Sequence, residues 1–180
     1  MILILSTSLR PASNSRILAQ AAQRALAAAG LEARLVDLRD RPLPICDGGA
    51  AYEDPNVGVV REQIERADAI LLALPIYNYD ASAAAKNLVE LTGSAWEDKA
   101  VGFLCAAGGP SSYMSVMSFA NSLMLDFRCV IAPRFVYATG AAFAGSAIVD
   151  AEVAARVSQL ALTTARLGAG LKAAAGVAAE

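Results

Sequence analysis

Three short stretches hold most of the side chains that could do chemistry. Ser6 to Ser15 ("STSLRPASNS") packs four serines, one threonine and one arginine between a short apolar run and an amphipathic segment. Hydroxyls and a guanidinium at the start of a helix suit an anion with several oxygens, because the free N–H groups and the helix dipole point the same way. A terminal phosphate monoester matches that inventory, and an ordinary polar turn with serine as N-cap is the plainer alternative. Pro75 to Asp80 ("PIYNYD") sets two tyrosines and an asparagine after an apolar run, which suits a planar heterocycle. Cys105 to Tyr113 ("CAAGGPSSY") carries Gly108 and Gly109, where a backbone can approach a ligand closely.

Composition removes several function classes. The 180 residues contain no histidine, which excludes a Ser-His-Asp triad, a Cys-His pair and histidine-based metal sites. Cys46, Cys105 and Cys129 are odd in number, far apart and without CxxC spacing, so neither a disulfide framework nor a zinc or iron–sulfur site is expected. The net charge of −2, with no Lys/Arg cluster, gives no nucleic-acid groove. Hydrophobic residues reach 56%, yet charges interrupt every apolar run before bilayer length. A cytoplasmic protein without membrane or nucleic-acid partners is expected. GxGxxG and GxxxxGK[ST] are both missing, so neither a dinucleotide glycine turn nor a P-loop is present.

The elements that must position these stretches follow from periodicity. Met1–Leu5, Glu32–Asp37, Asp68–Leu74, Lys99–Ala106 and Cys129–Val136 read as strands, the first and third of them buried, the third ended by Pro75 and the fifth interrupted by Pro133. Helices are predicted over Ser15–Ala29, Val57–Ala67, Ala81–Thr92, Ser111–Arg128 (capped by Ser111 or Ser112) and from about Asp150, with Arg39–Asn56 as loop. The alternation implies an α/β doubly wound sheet of five parallel strands, order 2-1-3-4-5, with helices on both faces. Residues 1–167 form the domain, and 168–180 read as a low-complexity C-terminal tail that frays. In such sheets ligands bind beyond the carboxyl ends of the strands where the order reverses, which is where the three stretches converge.

At this point the motifs resemble a family. "TSLRPASNSRILA", "PIYNYDASAAAKNLVEL" and "AAGGPSSYMSVMSFANSLMLDFRCVIAP" are similar, in order, to the phosphate loop, the P-x-Y-N segment and the Gly-Gly loop of the NAD(P)H-dependent FMN reductases, a flavodoxin-like group. The resemblance implies that Ser8, Arg10, Ser13, Asn14 and Ser15 bind the FMN phosphate. It sets Pro75, Ile76, Tyr77 and Asn78 beside the isoalloxazine, and Gly108 and Gly109 at its polar edge. Lys86 and Asn87 match a helix signature with a structural role. The sequence departs from the pattern at Thr7, Ser15, Ala83 and Ala85, and at Tyr79-Asp80 where Gly-Ser is common.

The implied activity passes hydride from NADPH or NADH to FMN and then two electrons to a small acceptor: a flavin, quinone, azo compound or metal oxyanion. No catalytic side chain and no metal is expected. The alternatives are a flavodoxin-like electron carrier without nicotinamide turnover and a flavin-binding module without its own turnover. A homodimer or homotetramer is expected, because Met114, Met117 and Met124 form an apolar stripe on the fourth helix besides the one formed by Val116, Phe119, Ala120, Leu123 and Phe127.

Overall fold

The unbroken apolar run at the start of the chain becomes β1 (Ile2–Ser6), which lies between two parallel neighbours and is buried at every position. The computed structural model describes residues 1–177. After β1 come α1 (Asn14–Ala28), β2 (Ala33–Asp37), a 3-10 turn over Ala50–Glu53, α2 (Pro55–Arg66) and β3 (Ala69–Tyr77). A two-residue strand β4 (Asp80–Ala81) precedes α3 (Ala83–Thr92), β5 (Ala100–Ala107), a 3-10 segment over Pro110–Val116 and α4 (Met117–Phe127). The chain closes with β6 (Val130–Ile131), β7 (Val136–Thr139), the hairpin β8 (Phe143–Ala144) and β9 (Ala147–Ile148), and α5 (Ala151–Val177).

β2, β1, β3 and β5 pair in that order and all in parallel, and β6 and β7 both pair with the outer side of β5. The architecture is the expected doubly wound sheet, with the expected order. Alternation along the strands divides the core between two faces. Leu3, Leu5, Ile70, Leu72 and Phe103 meet Ile64, Leu88, Trp96 and Phe119 from the α2–α4 side. Ile2, Ile4, Leu71 and Leu104 meet Leu18 and Leu26 of α1 and Val157, Leu160 and Ala161 of α5.

Several boundaries differ from the sequence expectation. Pro75 does not end the third strand. It sits inside β3 opposite Ala106, and its carbonyl accepts the N–H of Ser82. The strand continues to Tyr77 and then reverses through Asn78 (φ +50°) and Tyr79 (φ +63°) into β4, so "PIYNYD" is a tight hairpin. Two consecutive positive φ values match the type I′ geometry that follows the twist of the flanking strands.

The fourth helix begins at Met117, and neither Ser111 nor Ser112 caps it. Pro110 opens a 3-10 segment, and Ser112 has non-helical angles (φ −102°, ψ 28°). The fifth strand is split, because Pro133 has no N–H to donate and Arg134 takes φ +60° between β6 and β7. Thr139, and not Val136, is its last residue. In the 39–56 segment, Asp54 caps α2 by accepting the N–H of Asn56 (2.8 Å), so that helix starts at Pro55.

α5 continues through Gly168 to Val177, and the predicted break after residue 167 is absent as far as the described residues run. Its N-cap is Asp150, whose Oδ1 accepts the N–H groups of Glu152 (2.8 Å) and Val153 (3.1 Å). The last three residues of the expected tail, 178–180, lie outside the described residues. No helix among the described residues is long and apolar enough to cross a membrane.

Candidate functional site

At the carboxyl ends of β1, β3, β5 and β7 the chain encloses an open cleft of about 860 Å³. That is the size range of pockets for small molecules and cofactors. All eleven residues named from the sequence line it: Ser8, Arg10, Ser13, Asn14, Ser15, Pro75, Ile76, Tyr77, Asn78, Gly108 and Gly109. They come from three loops far apart in sequence, brought together because the strand order reverses at β1, with α1 on one face of the sheet and α2 on the other.

The first loop is built around buried hydroxyls. Ser8, Ser13 and Ser15 are buried, while Arg10 is exposed. Ser13 is the N-cap of α1 and accepts the N–H of Arg16 (3.2 Å), and its Oγ lies 2.9 Å from that of Ser15. Ser13 both caps the helix and lines the cleft. The N–H groups of Asn14 and Ser15, the first two of α1, have no acceptor within the helix and remain for a ligand.

The charges are sorted. Arg16 Nε lies 2.9 Å from the buried Asp37 carboxylate, which also accepts the N–H of Arg39 (2.9 Å). Arg10 forms no ion pair with any described residue, and it is the one charged side chain among those lining the cleft, where no carboxylate appears.

The hairpin forms a second wall. Asn78 and the rings of Tyr77 and Tyr79 are exposed at its tip. Lys86 and Asn87 are not part of the cleft. Asn87 accepts the N–H of Cys46 and donates to the carbonyl of Pro44 (both 2.8 Å), tying down the loop after β2, and Lys86 pairs with Glu90 (3.1 Å).

The third wall runs from the end of β5 at Ala106 and Ala107 through Gly108 and Gly109 to Ser112. A methyl group built on Gly108 or Gly109 would touch nothing within 4 Å. The protein's own packing therefore does not require glycine there, and the room left beside these residues belongs to the cleft. Tyr79, Ser111, Ser112 and Gly140 also line the cleft and are not among the sequence candidates. Tyr79 was visible as a departure from the motif. Gly140 carried no signal, because the split of the last strand hid the loop that follows β7.

This donor set fits flavin mononucleotide. Hydroxyls, free helix N–H groups and one uncompensated guanidinium gather at one end, with no carboxylate to repel a phosphate. Aromatic rings and exposed glycine backbone stand at the other. Comparison with known proteins agrees: residues 1–144 match the family model of the NADPH-dependent FMN reductases, a span that contains every lining residue.

The chain belongs to the NADPH-dependent FMN reductase family.

Among its relatives, an NAD(P)H-dependent FAD/FMN reductase of Geobacillus thermodenitrificans is 31% identical over 135 residues, 73% of this chain and 72% of that one. An NAD(P)H:quinone oxidoreductase of Solanum tuberosum is 31% identical over 137 residues, 71% and 70% of the two chains. In fold, the chain matches the structure of RosB with a bound 8-demethyl-8-formylriboflavin-5′-phosphate at a TM-score of 0.77 and 19% identity, over 95% of this chain and 79% of that one. As a member of the FMN reductase family the protein is a flavodoxin-like, FMN-dependent NAD(P)H oxidoreductase. The electron-carrier alternative gives way to that assignment.

Proposed function

We propose that the cleft binds FMN with its phosphate at Ser8, Arg10, Ser13, Asn14 and Ser15, and its ring between the Pro75–Asn78 hairpin and the Gly108–Gly109 loop. Bound there, FMN supplies a ring that takes up hydride from NADPH or NADH and passes on two electrons. The chain's own residues bind, orient and wall off that ring, and none is assigned a proton to move. The observation that carries this reading is the charge arrangement: Asp37 occupies Arg16, while Arg10 is left as the cleft's lone unpaired cation.

The acceptor is a small planar molecule of the flavin or quinone kind. Tyr77 and Tyr79 stand exposed at the mouth and offer flat surfaces to such a molecule, which they could not do for a small oxyanion. The protein acts in the cytoplasm, a reading supported by three cysteines free of disulfides. It assembles as a homodimer or higher homo-oligomer through α4 and the 3-10 segment before it, where Met114, Met117, Met124 and Leu125 stand exposed.

Titration of the flavin-free protein with FMN and with riboflavin tests the phosphate site, and FMN should bind at least about tenfold more tightly. Equal affinities would reject it. Oxidation of NADPH and NADH in air, then with a panel of flavins, quinones, azo compounds and metal oxyanions, identifies the substrates. Turnover confined to oxyanions would reject the planar acceptor.

A further inference from the structure

The third loop is held from a place its own sequence does not reveal. Tyr137 stands on β7 opposite Cys105, so parallel pairing with β5 fixes its backbone. Its phenol lies 2.5 Å from the carbonyl oxygen of Gly109 and 2.6 Å from Ser112 Oγ. A carbonyl can only accept, so the single phenolic hydrogen of Tyr137 goes to Gly109. Ser112 must then donate its own hydrogen to Tyr137. The polarity of the chain Ser112 to Tyr137 to Gly109 is thus determined, and what Ser112 Oγ has left to offer the cleft is acceptor lone pairs. The ring of Tyr113 backs the arrangement, stacked on Phe135 (4.9 Å between centroids) and edge-on to Tyr137 (5.5 Å).

We propose that Tyr137 is the positioning residue of the Gly108–Gly109 loop, fixing both the loop backbone and the acceptor character of Ser112 where the flavin ring binds. The proposal rests on the cleft being the flavin site, and it assigns Tyr137 to ring affinity and not to phosphate affinity. A methyl group built on Gly108 or Gly109 would find no neighbour, and Ser112 departs from helical geometry at the point where its hydroxyl reaches Tyr137. Without the phenol, the segment keeps its anchors at Tyr113 on Phe135 and at Val116 in the core, and the Gly109–Ser112 stretch loses its side-chain hydrogen bonds to β7.

Tyr137→Phe tests this, since it keeps the ring and its packing and removes the hydroxyl alone. In the flavin-free protein, amide hydrogen exchange over Gly108–Ser112 should rise at least about fivefold while β1 and β3 keep their protection. The dissociation constants of FMN and riboflavin should rise by the same factor, roughly fivefold to tenfold, because the loop faces the ring that both share. Unchanged exchange with both constants within about twofold of wild type overturns the proposal. So does a loss for FMN that spares riboflavin, which would locate the effect at the phosphate.

If Tyr137→Phe does not fold, Ser112→Ala takes its place. It leaves the tyrosine in position and should weaken both flavins equally by about threefold. No change for either flavin overturns the proposal. If the wild-type protein bound no flavin, the reading of the cleft would fail, while the exchange measurement would still decide whether Tyr137 holds the loop.

Discussion

Gly168 of α5 passes so close to the backbone of Asp68 that a methyl group built on it would lie 2.5 Å from the Asp68 carbonyl oxygen and 2.7 Å from Ala69 Cβ. The contact seats the C-terminal helix on the sheet where β3 begins, and Lys172, one turn on, pairs with the Asp68 carboxylate (3.0 Å). Gly168→Ala should therefore destabilise the protein by about 1–3 kcal/mol, even though alanine is the better helix former, because the obstacle is backbone that cannot rotate away. Urea unfolding of the variant beside wild type measures this. A stability equal to or above wild type would show that the helix can slide off the strand without cost.

Arg10→Ala should weaken FMN binding by roughly tenfold or more and leave riboflavin affinity and thermal stability unchanged. The guanidinium is exposed and joins no ion pair among the described residues, so its removal costs the fold little and the phosphate a charge-assisted partner. Isothermal titration with both flavins checks the prediction. Together with Tyr137→Phe, which should affect both flavins alike, it separates the two ends of the cleft.

The three thiols should differ sharply in reactivity. Burial pushes the Cys129 thiol up to about 11 and the Cys105 thiol higher still, whereas Cys46 is half-buried on the loop after β2. At pH 8 a thiol reagent should modify Cys46 alone in the folded protein and all three after unfolding. The linked effect on stability has a definite sign. A folded-state value raised above the ordinary 9.0 leaves stability intact below about pH 9 and removes it as pH climbs toward 11. The alkaline fall in melting temperature should be shallower in Cys129→Ala than in wild type, and parallel curves would refute the assignment.

Light scattering should give a mass of at least twice the 18.6 kDa of one chain. The methionine stripe along α4 and the turn before it is open: Met114 is 62% exposed, Met117 40% and Met124 39%. The chain's own C-terminal helix cannot cover it, because α5 packs with α1 on the opposite face of the sheet. Met117→Glu in the middle of the stripe should shift the protein to single chains at micromolar concentration. A wild-type mass of one chain would remove the interface.

Residue types and their local periodicity determined the order of the five main strands and five helices, since most of those strands are apolar runs and the helices carry apolar stripes readable without knowing their neighbours, while β4 and the β8–β9 hairpin gave no such signal. They also determined the cleft's inventory: hydroxyls with Arg10, the aromatic pair in "PIYNYD" and the two glycines, all at strand ends that a doubly wound sheet must bring together. What the tertiary structure decided is where elements stop and what holds the loops. Pro75 could stay in a strand because its carbonyl found Ser82 across the hairpin and β5, distant in sequence, lay alongside. Asn78 and Tyr79 adopt positive φ because β4 returns along β3, a pairing that an ordinary loop composition does not announce. Ser112 lost its role as a cap to a phenol 25 residues away, and α5 runs through Gly168 because Asp68 receives it there. Local sequence sets what a segment prefers, and long-range hydrogen bonds and close contacts set where that preference ends, because at an element's boundary the local energies nearly balance and a single distant partner tips them.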